Sequence, residues 1–309
     1  WKKILNEGLL KGLSDYYIAQ NDENKYAIFH KYNPNVPVSK WWKAISKSGI
    51  VAGQSQYYKA QKYNNEIAIF HKDNPNEPVS GWWSDIISTG LVDGRSEYYI
   101  AQNKEGYYAI FHKDNPDEPV SQWWTHVSSH GLAMGTAEYY IASNNEGKYA
   151  IFHKDNPNQP ISQWWQYINP YKLFTGESNY YIVGKEDDQY AIFSIQNPGQ
   201  PISQWWSAFK YDGILHDTSD YYIAQNSNHQ YAIFHKDNPN EPISQWWDDI
   251  LVENGLIQSE SEYYIAVKNK NQPNEIVAIF HKDNPYEPIS NWHTAIGTNG
   301  LVDGQSEYY

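Results

Sequence analysis

Residues 98–112 read Tyr98-Tyr99-Ile100-Ala101-Gln102-Asn103-Lys104-Glu105-Gly106-Tyr107-Tyr108-Ala109-Ile110-Phe111-His112. Two runs rich in aromatic and β-branched residues flank the polar stretch Asn103-Lys104-Glu105-Gly106, which predicts a β-hairpin with a short turn. Alternation puts Tyr98 and Ile100 on one face of the first strand, and Tyr99 and Ala101 on the other. In the second strand Tyr108, Ile110 and His112 oppose Ala109 and Phe111. Both faces carry apolar groups, so both must be covered.

The cover is written into the rest of the chain, because the hairpin recurs. Tyr-Tyr pairs begin at Tyr16, Tyr57, Tyr98, Tyr139, Tyr180, Tyr221, Tyr263 and Tyr308, in steps of 41, 41, 41, 41, 41, 42 and 45 residues. Trp-Trp pairs begin at Trp41, Trp82, Trp123, Trp164, Trp205 and Trp246, with Trp292-His293 as the seventh and Trp1 matching a second Trp. All 14 Trp fall on these two positions. A fixed period of this length is the signature of a repeat architecture, in which each unit buries its neighbour's apolar face. Residues 1–17 and 293–309 are the same half-unit. The chain therefore reads as one array over 1–309, seven complete units plus an overlapping half, expected to be a segment of a longer protein.

Between hairpins, Ser80 has the chemistry of a helix N-cap and Gly90 that of a C-terminal glycine. Trp82, Trp83 and Ile86 have the spacing of a helical face. The position three after the second Trp is Ile4, Ile45, Ile86, Val127, Ile168, Phe209, Ile250 or Ile296, apolar every time. The reading is a short α-helix per unit, shortened by Pro170 in one copy. Asn115-Pro116 and Glu118-Pro119 make a stiff return turn. Two copies are lengthened, by one residue between Trp247 and Gly255 and by about four between Tyr264 and Ala278, the latter marking an exposed turn. The fold expected is an α+β tandem repeat, seven units of hairpin plus short helix stacked as a solenoid or ring. The alternative is an all-β seven-bladed propeller.

The order Trp-x-x-Ile, Gly-Leu, Tyr-Ile-Ala, Asn-x-x-Gly-x-Tyr-Ala-Ile-Phe and Trp again resembles the repeats of tectonin and tachylectin-2 type β-propeller lectins, throughout residues 1 to 309. In that family the Trp segment is a strand, whereas the residues here predict a helix. The resemblance implies a propeller with sugar sites repeated between blades.

The net charge of −13 argues against nucleic-acid binding and against docking on an anionic membrane. No apolar stretch approaches a membrane span. The absence of cysteine excludes disulfides and thiolate metal sites. Catalytic motifs of the metalloprotease, serine-hydrolase and phosphate-loop kinds are missing. Asp248 and Asp249 are adjacent on the expected helix surface and do not face each other across a cleft. No cofactor is called for, and the chain reads as non-enzymatic.

Candidate binding residues come from two motifs. In the Trp pair, the first position is Trp in all seven copies and the second becomes His293, so the first reads as core anchor. The second, at Trp42, Trp83, Trp124, Trp165, Trp206 and Trp247, reads as a partly exposed indole for sugar stacking. The motif His-Lys-Asp-Asn-Pro at 71–75, 112–116, 153–157, 235–239 and 281–285 offers His71, Asp73, His112, Asp114, His153, Asp155, His235 and Asp237 to hold sugar hydroxyls. The bland alternative is that these side chains bond the turn backbone. His30-Lys31-Tyr32-Asn33-Pro34 is a near copy, and Ser194-Ile195-Gln196-Asn197-Pro198 keeps only Asn-Pro. One His and one Asp per unit fall short of a metal-ligand set. The function expected is multivalent glycan recognition at a cell surface or outside the cell. The alternatives are a structural stalk or filament segment that self-associates, and a scaffold for a partner protein.

Overall fold

The computed structural model describes residues 1–87, 90–210, 212–251 and 255–309. The chain forms two compact units, Trp1–Ile161 and Ser162–Tyr309. The repeat runs through both. Seven antiparallel sheets of three or four strands follow one another among the described residues. Each is built on a hairpin, at residues 16–30, 57–71, 98–112, 139–153, 180–194, 221–235 and 263–281. In the third repeat Tyr98–Gln102 pairs with Tyr108–His112, Ile100 opposite Ile110 and Tyr99 opposite Phe111. The insertion in the seventh repeat lengthens both strands, to Tyr263–Lys268 and Ile276–His281, and leaves residues 270–274 exposed. The single extra residue between Trp247 and Gly255 falls at 252–254, outside the described residues.

The segment after the Trp pair is extended, which corrects the α+β expectation: the fold is an all-β repeat. Asp85–Ile87 is an edge strand on the third hairpin, with Ile86 opposite Ala101. The backbone of Trp83, two residues earlier, is bonded to the preceding sheet, through Ile67 N–H to Trp83 O at 2.8 Å and Trp83 N–H to Ile67 O at 2.9 Å. One short stretch thus closes one sheet and opens the next. Its peptide groups bond to neighbouring sheets, where a helix would have bonded them internally. Trp82, Trp83 and Ile86 fit a helical period, but Trp82 and Ile86 fit a strand period equally well. Among the described residues, helical structure is confined to Glu7–Leu10 and to 3₁₀ turns such as Gly49–Ala52 and Gly131–Met134.

The two capping residues have other work. Ser80 Oγ accepts from Ile69 N–H at 2.9 Å and donates to Gly81 O at 2.8 Å, tying down the last strand of the preceding sheet. Gly90 lies against backbone: a Cβ there would meet Tyr98 O at 2.1 Å and Ala133 O at 2.3 Å. Pro170 shortens no helix, for it precedes the 3₁₀ turn Tyr171–Thr175, whose start tolerates proline.

Within each compact unit, neighbouring sheets bury opposite faces against each other. Ile18 and Ile28 of the first repeat pack in one cluster with Tyr58, Ala60, Ala68 and Phe70 of the second. Ile223 and Ile233 of the sixth meet Tyr264, Ala266, Ala278 and Phe280 of the seventh. The two-faced hairpin read from the sequence is covered in this way. Each fully buried isoleucine or phenylalanine among these contributes about 1.5–3 kcal/mol. Polar ties add register: Ser55 Oγ donates to Val92 O at 2.7 Å and Ser96 Oγ to Ala133 O at 2.7 Å, each reaching one repeat ahead.

Candidate functional site

The His-Lys-Asp-Asn-Pro motif sits where the second hairpin strand ends. His112 Nδ1 accepts the Asp114 N–H at 3.3 Å, and its Nε2 lies 3.3 Å from Glu97 Oε2. Lys113 Nζ lies 2.7 Å from Asp114 and 3.2 Å from Glu97. The Lys113 ammonium, with His112 beside it, holds the Glu97 carboxyl below its ordinary value, and Lys113 does the same to Asp114. The imidazole is capped edge-on by Tyr98 at 5.0 Å. The same Nδ1 contact ties His71 to Asp73, His153 to Asp155 and His235 to Asp237. These groups are engaged with one another and with the turn backbone. The arrangement matches the turn-closing reading of the motif. No group of three or more His, Asp or Glu is placed to hold a metal ion among the described residues.

The Trp candidates lie at the opposite end of the strands. Trp83 pairs with Ile67, the first residue of Ile67–His71, and His71 is the last. Four residues of strand separate them by about 13 Å. The structure therefore does not bring the Trp and His-Asp candidates into one site.

The division of labour within the Trp pair also needs correction. Both positions are half-buried in most repeats, and Trp247, a second-position residue, is only 5% exposed. The indole nitrogens of Trp42, Trp83, Trp124, Trp165, Trp206 and Trp247 are all enclosed. Second-position rings bind repeats together: Trp83 lies 5.0 Å from Phe111 and 5.5 Å from Trp123, and Trp206 lies 5.1 Å from Phe234 and 5.4 Å from Trp246.

First-position rings present a face toward the hairpin turns, and what covers that face varies. Lys62 Nζ sits 3.5 Å from the ring centroid of Trp82, Lys185 Nζ 3.7 Å from Trp205 and Lys268 Nζ 4.1 Å from Trp292. Around Trp82 a second lysine closes the space, since Lys104 of the third turn reaches Glu66 of the second at 3.0 Å. One repeat later all three filling residues change. Asn103 stands for Lys62, Asn145 for Lys104 and Tyr107 for Glu66.

The result is an open groove of about 460 Å³ lined by Asn103, Glu105, Tyr107, Trp123, Trp124, Thr125, Ser143, Asn144 and Asn145. Its size suits a small ligand. Trp123 is held edge-on to Phe111 at 5.8 Å, which fixes the ring. Asn103 Oδ1 accepts the N–H groups of Glu105 and Tyr107 at 3.0 and 2.9 Å. Asn144 Oδ1 accepts those of Glu146 and Lys148, both at 3.0 Å. These bonds use the amide oxygens, so each Nδ2 remains a donor at the groove. Of the residues lining this groove, the sequence offers only Trp124 as a binding candidate. The missed signals were the exchange between Asn and Lys just after the first hairpin strand, Asn103 against Lys62 and Lys185, and the lone aromatic at Tyr107. A larger cavity of about 520 Å³, beside Glu7–Leu10, has no aromatic in its lining.

The acidic pair lies on the seventh sheet, where Asp248 is half-buried and accepts the Asn269 N–H while Asp249 is enclosed. Asp249 lies in the edge strand Asp249–Ile250 and is buried. Lys210 Nζ is 2.5 Å away, Lys270 pairs with its other oxygen and Ile250 N–H donates at 2.8 Å. Burial pushes this carboxyl up, but the two ammonium groups outweigh it and hold it below its ordinary value. A carboxylate so paired is a structural tie.

No family model matches the chain, and no curated protein matches it. Among solved structures, the crystal structure of the computationally designed Ika8 protein is similar over 92% of this chain and 85% of that one, at 5% identity and a TM-score of 0.32.

Proposed function

We propose that this protein is a non-enzymatic carbohydrate-binding repeat protein, working outside the cell or at a cell surface, with the groove over Trp123 as a ligand site. The observation that carries the reading is the contrast between neighbouring repeats. Where lysines fill the space over Trp82, the same space over Trp123 is open, flanked by Tyr107 and rimmed by asparagine amides. An indole face beside donors of fixed direction is the chemistry that takes a sugar ring, apolar C–H groups against the ring and hydroxyls toward the amides. The all-β repeat also agrees with the β architecture implied by the resemblance to tectonin and tachylectin-2 type repeats.

Screening the intact chain against an array of glycans tests the proposal. A glycan hit is expected to weaken at least tenfold on Trp123→Ala or Tyr107→Ala. Trp82→Ala, at the lysine-covered position, leaves it unchanged. An array with no hit, or equal loss from Trp82→Ala, refutes the reading.

A further inference from the structure

Resting on that reading, we infer that the Trp123 groove selects sugars carrying a protonated amine. The chain supplies its own ligands as evidence. At Trp82, Trp205 and Trp292 the group occupying the indole face is an ammonium, at 3.5, 3.7 and 4.1 Å from the centroid. Attraction between a cation and the negative face of an indole operates within about 6 Å, so all three are fully engaged. Around Trp82 the second ammonium in the space, that of Lys104, meets a carboxylate, Glu66. A filled groove thus contains an ammonium on the indole and an ammonium on an acid.

The open groove offers receptors for both and lacks the occupants, although its acid stands elsewhere: Tyr107 takes the place of Glu66, and the carboxylate is Glu105, at the position of Asn64. Trp123 and Tyr107 present aromatic faces, and Glu105 presents a carboxylate at the rim. Glu105 is exposed and forms no ion pair among the described residues. The asparagine Nδ2 groups are neutral donors, suited to hydroxyls. An oligosaccharide of 2-amino-2-deoxyhexose units matches this set: ring C–H groups and one ammonium on the aromatics, a neighbouring ammonium on Glu105, hydroxyls on the amides. The charge of −13 on the whole chain favours its approach. The turn residue at Asn103 then acts as the selector between an open site and a self-occupied one.

The test is a tryptophan-fluorescence titration of the intact chain with a glucosamine tetramer bearing free amines, and with its fully N-acetylated counterpart, where the amines are protonated. The free-amine tetramer is expected to bind at least tenfold tighter, with affinity falling as salt is raised. Glu105→Gln removes most of that preference and leaves the acetylated tetramer unaffected. Asn103→Lys installs the cap found at Lys62 and lowers free-amine affinity at least tenfold. That exchange is compatible with folding, since two other turns carry it at Lys62 and Lys185, and an unchanged urea midpoint verifies this. Equal binding of the two tetramers overturns the inference and leaves the glycan reading intact. Unaltered binding by Asn103→Lys overturns the selector. Failure of both tetramers, with no array hit, removes the inference together with the reading beneath it.

Discussion

Six of the seven repeats bury a tyrosine hydroxyl in the core, and removing one should make the protein more stable. Tyr99 is 1% exposed, its ring stacked on Phe111 at 5.5 Å and 11°. Its hydroxyl and the enclosed indole nitrogen of Trp83 make no hydrogen bond of ordinary geometry. Burial drives the hydroxyl well above its ordinary pKa, and the weak contact with the Trp83 N–H opposes that shift only in part. Leaving a buried polar group unsatisfied costs about 1–3 kcal/mol. Tyr99→Phe keeps the stacked ring and deletes only the unsatisfied oxygen, so it should recover about 1 kcal/mol. At a urea dependence of roughly 2 kcal/mol per molar, this raises the unfolding midpoint by about 0.5 M. Tyr99→Ala, which deletes the ring, should lose about 3–5 kcal/mol. Equilibrium unfolding in urea followed by tryptophan fluorescence reads all three proteins. A lower midpoint for Tyr99→Phe would show that the hydroxyl is bonded in solution, and the reasoning would fail.

The same six tyrosines, Tyr58, Tyr99, Tyr140, Tyr181, Tyr222 and Tyr264, set an alkaline limit. Their folded pKa values are raised by burial, so the unfolded chain ionises first as pH passes about 10. Stability is complete below that pH and falls above it, by roughly 1.4 kcal/mol per pH unit for each residue and about 8 for the set. Urea midpoints measured from pH 8 to 11.5 should be flat and then drop steeply, less steeply in Tyr→Phe variants. Gly49→Ala should cost at least 2 kcal/mol: its φ is +74°, and a Cβ would stand 2.1 Å from Tyr57 O. Gly147 shares the φ but has nothing within 4 Å, so Gly147→Ala should cost only about 1 kcal/mol. Equal losses measured by urea unfolding would exclude the backbone contact as the cause.

The hairpin was legible because its information is local. Five residues of alternation on each strand of 98–112 fixed both faces, and the two-sided apolar pattern demanded neighbours. The Trp segment was not legible, because its hydrogen bonds go to two different sheets and a strand of two or three residues is too short to display a period. The cap residues misled for a related reason: Ser80 and Gly90 have helix-end chemistry, and tertiary contacts at Ile69, Tyr98 and Ala133 use the same chemistry differently. The His-Asp motif recurs because it closes a turn, and its recurrence was also what made it look like a site.

In a repeat, recurrence marks structure before it marks function. Residues kept in register, such as the stacked Tyr and Phe, are those that every copy needs in order to bury its neighbour. A ligand site needs space, and in a chain whose copies interlock, space arises where a copy departs from its neighbours. The groove over Trp82 is filled by Lys62, Glu66 and Lys104. The groove over Trp123 has Asn103, Tyr107 and Asn145 at the same places, with the same hairpin register beneath them. The exchange leaves the shared hairpin packing in place, since the cores under both grooves pack the same side-chain types. What it changes is access to one indole face. The binding proposal therefore rests on three exposed or half-buried substitutions that the stacking does not require, and their reversal by the residues of the adjacent repeat should remove binding while the fold is retained.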